Sequence, residues 1–230
     1  MRALLLAAGR GERMRPLTDT VAKPLLTVAG RRLIEWQIEA LVRAGIPEIV
    51  INTAHLAEQI ESTLGDGARY GARIAYSREG TRAQDALETL GGIVRALPEL
   101  GTSAFLVASS DIVTDFDYGT LSAVAAAIDR GETDAHLVLV DNPPYHPRGD
   151  MGLTAAPGAR ATRTAPLYTY ANIGVMAPRL FADLAPVRER LFPWLFGAVD
   201  RGRVSAQLWR GRWWNVGTPQ DLAEVDRIWR

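Results

Sequence analysis

The chain has 230 residues, with 26 Lys+Arg against 26 Asp+Glu and a formal net charge of +0, so no field of one sign marks it for nucleic acid. Cysteine is absent, which removes disulfides, thiolate metal sites and thiol chemistry. No apolar run is long enough to cross a bilayer and no signal-peptide pattern follows Met1-Arg2, so a soluble cytoplasmic protein without membrane partners is expected.

Taken in order, Ala3 to Ala8 is a short apolar run, read as a buried strand that stops in Gly9-Arg10-Gly11-Glu12-Arg13. Arg31 to Ala44 has helical spacing, with Ile34, Ile38, Leu41 and Val42 on one face and Gly45 as the stop. Strands are expected at Glu48 to Thr53, Ala72 to Ser77, Ala104 to Ala108 and Ala135 to Val140. Helices are expected at His55 to Leu64, at Thr89 to Leu97 (opened by Glu88, closed by Pro98) and at Tyr118 to Arg130, with a polar loop over Arg78 to Asp85. This alternation predicts parallel βαβ units and a doubly wound α/β sheet. From Asp141 the pattern changes. A proline-rich turn leads to strand-like stretches at Asp150 to Thr154, Leu167 to Met176 and Val204 to Trp209. Short helices are expected around Phe181 and Trp194, and a last helix from about Thr218 to Ile228. One domain over 1–230 is expected, with a nucleotide lobe over about 1–140 and a second-substrate lobe over about 141–230.

The glycine-rich turn after the first strand carries the chemistry. Glycine lets the backbone approach a ligand, and successive N–H groups in such a turn form an anion site. Arg13 and Lys23 add fixed positive charge. Lys23 is the one lysine beside 25 arginines, a compact point charge rather than a planar fork. Together they suggest a cradle for a nucleoside triphosphate. A P-loop is excluded, because no glycine precedes a lysine, and a dinucleotide fingerprint is excluded by Met14 where its third glycine should stand. Asp111 follows a buried strand at the carboxyl end of the sheet, a place suited to Mg²⁺ and equally to a helix cap. Asp115 and Asp117 read as caps. The adjacent Gly91 and Gly92 imply close approach to a ligand, or tight packing against the sheet. Thr218-Pro219 opens the last helix, and Trp213 and Trp214 are candidate core. His55, His136 and His146 show no metal spacing and read as structural.

LAAGRGERMRPLT followed by KPLLTVAG resembles the signature of the sugar-1-phosphate nucleotidyltransferases, L-A-G/A-G-x-G-x-R-M/L-x-P-L-T…K-P. LETLGG is similar to that family's base-contacting loop. Ser109-Ser110-Asp111 stands where the family has N/G-G-D, and Trp214 to Thr218 where it has W-x-D-[VI]-G-T. The stretch VDNPPYHPRGDM is most similar to the subgroup acting on N-acetylmuramate 1-phosphate. The chain ends just past the last motif, so the β-helix tail of longer relatives is not expected.

The resemblance implies a Rossmann-like mixed sheet and Mg²⁺-dependent transfer of a nucleotidyl group from UTP, or another nucleoside triphosphate, to a sugar 1-phosphate. N-acetylmuramate 1-phosphate is the expected acceptor, in cell-wall recycling. Mannose 1-phosphate with GTP, and glucose 1-phosphate with UTP or dTTP, are alternatives within the family; a non-catalytic nucleotide-sugar-binding regulator is one outside it. It further implies nucleotide contacts from Leu6, Ala7, Ala8, Gly9, Gly11, Glu12, Arg13, Lys23, Glu88, Thr89, Gly91 and Ser109. Arg13 and Lys23 are the catalytic cations. Sugar-phosphate contacts fall on Asp141, Arg148, Gly149, Asp150 and Asn172, and metal ligands on Asp111 and Asn215. Asn215 replaces the usual aspartate, and Arg148 stands in for a lysine that many relatives supply from the second lobe. A monomer or small homo-oligomer is expected.

Overall fold

The computed structural model describes residues 1–155 and 158–230. In chain order the strands are β1 (Ala3–Leu6), β2 (Thr27–Val28), β3 (Arg31–Arg32), β4 (Glu48–Thr53), β5 (Arg73–Arg78), β6 (Phe105–Ser109), β7 (Ile112–Thr114), β8 (Ala135–Val140), β9 (Met151–Leu153), β10 (Ala161–Thr162), β11 (Leu167–Met176), β12 (Val204–Trp209) and β13 (Trp213–Asn215). The helices are α1 (Leu33–Arg43), α2 (Ala57–Leu64), α3 (Glu88–Leu100), α4 (Ser122–Asp129), α5 (Leu191–Trp194), α6 (Phe196–Asp200) and α7 (Pro219–Trp229).

Nine strands form one mixed sheet. The parallel set β6-β1-β4-β5 is the doubly wound half. The long β11 runs antiparallel to β6 and also pairs with β8 and β9; β12 lies parallel to β8. The register sets Leu5 beside Ile51 and Ala108, so side chains alternate strictly between two cores. Leu5, Ile51 and Ala108 pack with Ile34, Ile38 and Leu41 of α1, Ile60 of α2 and Ile128 of α4. Leu4, Val50 and Val107 pack with Ile93 of α3, Leu191 of α5 and Val199 of α6. Each fully buried Leu or Ile contributes roughly 1.5–3 kcal/mol, so a one-residue slip of any central strand is prohibitive. A third, smaller core joins Met14, Val113, Val216 and Val225, and docks α7 against the loop after β1. No helix among the described residues is long and apolar enough to cross a membrane.

Several expectations are corrected. α3 does not stop at Pro98 but runs to Leu100, which is buried, and Gly101 at φ +85° ends it. Packing of Leu100 carries the helix past the N–H that Pro98 lacks. The helix expected over Tyr118 to Arg130 begins as a 3-10 turn and is α-helical only from Ser122 to Asp129. The segment at Phe181 is a 3-10 turn, and that around Trp194 is two short helices, α5 and α6. Asp117 caps its turn by accepting from Gly119 N. Asp115 instead accepts from Arg212 N at 2.8 Å, tying β7 to β13. That strand pair, and the β2–β3 pair, had no readable alternation because each strand has only two or three residues.

His136, buried between β8 and β12, faces Ser205 Oγ at 2.9 Å and Gln207 Oε1 at 3.1 Å. Burial lowers its pKa to about 4. Above pH ~6.5 it is neutral folded or unfolded. As pH falls from there toward 4, only the unfolded chain takes up the proton, so stability drops, by about 3 kcal/mol at pH 4. His136→Gln is expected to flatten that acid limb in urea unfolding followed from pH 7.5 to 4; an unchanged limb assigns it to other groups.

Candidate active site

The carboxyl ends of β1, β4 and β6 open into a cavity of about 580 Å³. Its walls include Leu6, Ala7, Ala8, Gly9, Gly11, Glu12 and Lys23 from the first loop, Glu88 and Thr89 from the start of α3, and Ser109 and Asp111 after β6. Gly11 has φ +70°, and a Cβ there would stand 3.0 Å from Lys23 Cδ. The glycine is therefore required twice, for its left-handed turn and to let the lysine stem cross the loop. Thr18 Oγ1 donates to Gly11 O at 2.9 Å and fixes the turn.

Lys23 Nζ contacts Asp111 Oδ2, and both side chains are largely shielded from solvent. Asp111 is tied in turn to the last motif, since its carbonyl accepts from Val216 N at 2.9 Å. The β7–β13 pairing sets Asn215 opposite Ile112, so the two candidate metal ligands are strand neighbours. Asn215 Oδ1 is buried and has no hydrogen-bond partner. An orphaned buried acceptor on the strand paired next to Asp111 suits a hard cation, which takes few protein ligands and keeps waters and phosphates. No group of three or more His, Asp or Glu that could hold a metal occurs among the described residues, so a cation on Asp111 and Asn215 would need phosphate and water for its remaining ligands.

A second cavity, about 570 Å³, adjoins the first through Leu6, Glu88 and Thr89. Arg13, Asp150, Asn172 and Asn215 line it, with Tyr145, His146, Tyr170, Arg190 and Trp213. Arg13 lies across Gly217, where a Cβ would meet its Nη2 at 2.9 Å. The Val-Gly-Thr turn is thus shaped around that guanidinium, and Thr218 caps α7 in a reciprocal box with Asp221. Asn172 takes φ +57° at an irregularity in the β11–β8 pairing, which re-aims its side chain into this cavity. Asp150 receives Tyr170 N at 2.9 Å and faces His146 Nε2 at 3.0 Å.

Four expected positions lie elsewhere. Gly91 faces the backbone, its Cα set against Val187 O, and lines none of the described cavities. Asp141 pairs with Arg210 at 3.6 Å and lines a third cavity, which adjoins the second through Tyr145, Trp213 and Asn215. Arg148 lines none of the three cavities. Gly149 makes a turn at φ +64°, packed against Leu167 and Asn142.

Residues the sequence did not single out complete the first cavity. Asn52 Oδ1 accepts from Ala7 N at 2.6 Å while its Nδ2 donates to Glu79 Oε1 at 2.6 Å, and Glu79 Oε2 accepts from Leu87 N at 2.6 Å. This chain fixes the end of β1 to the start of α3. Burial is the largest influence on Glu79 and raises its pKa. Gly92 leaves room for it, since a Cβ there would meet Glu79 Oε1 at 2.5 Å. The adjacent glycines therefore serve close approach within the protein. The unbroken apolar strand preceding Asn52 was the only sequence signal for this network.

A glycine-rich loop, one lysine on one aspartate and two adjoining cavities at the carboxyl end of a mixed sheet define a nucleotidyl-transfer site. The chain belongs to the nucleotidyl transferase family, whose sequence pattern matches residues 2–161. It is 45% identical to an N-acetylmuramate alpha-1-phosphate uridylyltransferase of Neisseria meningitidis over 99% of this chain and 98% of that protein. It is 38% identical to a protein of the same name from Caulobacter vibrioides, over 95% and 92%. The fold matches a crystal structure of a putative glucose-1-phosphate thymidylyltransferase from Bacillus anthracis with TM-score 0.81 at 18% identity, covering 99% of this chain and 94% of that one. Among nucleotidyl transferases, it is a sugar-1-phosphate nucleotidyltransferase.

Proposed function

We propose that this enzyme transfers the uridylyl group of UTP to N-acetylmuramate 1-phosphate, giving the UDP-sugar and pyrophosphate. The 45% identity to the Neisseria meningitidis enzyme over nearly the full length of both chains carries this reading. The two adjoining cavities support it, since each is large enough for one substrate and they share the wall at Leu6, Glu88 and Thr89. A cytoplasmic site of action and a role in reusing cell-wall sugars go with it.

An acceptor phosphate oxygen forms the new bond to the α-phosphorus of UTP, and the bond from that phosphorus to the pyrophosphate oxygen breaks in line. The nucleophile is already an anion, so no general base is required. Positioning and charge neutralisation supply the rate. Lys23 directs its ammonium at the α-phosphate. Arg13, on the wall of the second cavity, would neutralise phosphate charge there, and the loop N–H groups from Ala8 to Gly11 would hold the leaving pyrophosphate. Asp111 and Asn215 would hold Mg²⁺, which when bound neutralises phosphate charge.

Purified protein with Mg²⁺ is to be tested for pyrophosphate release with N-acetylmuramate, N-acetylglucosamine, mannose and glucose 1-phosphates, each against UTP, GTP, dTTP and CTP. Turnover concentrated on the first acceptor with UTP is expected; preference for another pair refutes the assignment. Asn215→Asp adds a carboxylate to the metal pair and is expected to lower the half-saturating Mg²⁺ concentration about tenfold. In EDTA the same variant should melt below wild type, because two carboxylates then face each other, and Mg²⁺ should reverse the difference. Equal melting in EDTA and Mg²⁺ would remove Asn215 from the metal site.

A further inference from the structure

The segment Val187–Arg190 lies as a strap on the start of α3. Glu189 N donates to Leu87 O at 3.0 Å, and Leu90 N donates to Glu189 O at 3.0 Å. A Cβ on Gly91 would stand 2.0 Å from Val187 O, so this glycine is what lets the strap lie down. The strap delivers two arginines to different places. Arg188 lines the nucleotide cavity and Arg190 the acceptor cavity, while Glu88 lines both.

Glu88 has φ +60°, a backbone conformation that a residue with a side chain keeps only where its surroundings enforce it. Its carboxylate lies 3.5 Å from Arg188 Nη2 and 4.0 Å from Arg190 Nε. The second pairing is loose, and the Arg190 side chain is 80% exposed, so its guanidinium has donors free for a ligand at the cavity rim. Glu88 is shared between the two arginines, and Glu189, the other acid of the strap, lines neither cavity. Of the other cations of the acceptor cavity, Arg13 lies over Gly217 and is assigned to the phosphates in the reading above, and His146 faces Asp150.

N-acetylmuramate 1-phosphate differs from N-acetylglucosamine 1-phosphate by a lactyl ether, and therefore by one carboxylate. A carboxylate entering a partly desolvated cavity needs a cation, and a guanidinium fork matches it bidentately. We propose that Arg190, on the wall of the acceptor cavity, recognises the lactyl carboxylate of the acceptor. This inference rests on the acceptor reading given above.

The test is steady-state kinetics of wild type, Arg190→Ala, Arg190→Lys and Arg188→Ala on the two acceptors that differ by the lactyl group. For Arg190→Ala the loss of kcat/KM on N-acetylmuramate 1-phosphate should exceed that on N-acetylglucosamine 1-phosphate by about 10- to 100-fold, mostly through KM. Arg190→Lys should recover part of it. Arg188→Ala also frees Glu88, yet should lose similarly on both acceptors, with its effect on the KM of UTP. Equal losses on both acceptors for Arg190→Ala, or the same acceptor-selective loss for Arg188→Ala, overturn the proposal while the acceptor reading stands. A wild type that does not prefer the carboxylated acceptor overturns both.

Discussion

Lys23→Ala is expected to lower kcat about 100- to 1000-fold while the KM values of both substrates move by only a few fold. The side chain is positioned for this effect. Its stem is held against Gly11, its solvent exposure is 12%, and its Nζ sits on Asp111 at the mouth of the nucleotide cavity. A preorganised ammonium in a site from which water is largely excluded acts most strongly where negative charge builds up in the transition state, here on the α-phosphate. Arginine is no substitute, because the path past Gly11 leaves the stem little lateral room and the fork would carry its charge further out. Lys23→Arg should therefore recover only a small part of the loss. Single-turnover rates with both substrates saturating are the measurement. An unchanged rate removes Lys23 from the chemistry and leaves it as the structural partner of Asp111.

In the doubly wound half β1, β4 and β6 were legible because they are buried on both faces and read as apolar runs, while the edge strand β5 is half-exposed. EIVINT coincides with β4 to the residue, and outside that half AHLVLV, equally buried, coincides with β8. The loop after β1 was legible for a chemical reason, since glycines and a lone lysine at that place serve an anion better than a core. In the antiparallel half the strands were legible, since Leu167 to Met176 and Val204 to Trp209 coincide with β11 and β12, but their pairing was not. β11 pairs with three different strands and changes register at Asn172, which no local periodicity encodes. Glu79 and Arg190 were missed because their partners, Asn52 and Glu88, are distant in sequence and ordinary in type. The adjacent glycines were noticed for the right property, close approach, but what approaches is the Val187 backbone on one side and the Glu79 side chain on the other.

Asp111→Asn is expected to cost on the order of 1000-fold in kcat and to abolish the response of the rate to Mg²⁺. The substitution keeps shape and fold, because the bond linking Asp111 to the last motif uses its main-chain carbonyl, which accepts from Val216 N. What it removes is the charge that balances Lys23 and that Asn215, a neutral amide, cannot replace. Lys23 and Asp111 contact one another, so their effects on the rate should not add. With Asp111 neutral, the unpaired ammonium still serves the α-phosphate. With Lys23 gone, the carboxylate is bare and faces the incoming triphosphate unless a cation covers it. The double variant Lys23→Ala with Asp111→Asn should therefore lose less than the product of the single losses, and the Mg²⁺ needed for half-maximal rate should shift in Lys23→Ala alone. Strict multiplicativity, with Mg²⁺ dependence untouched in Asp111→Asn, would mean that the Lys23–Asp111 contact is not coupled in catalysis and that the cation is held elsewhere.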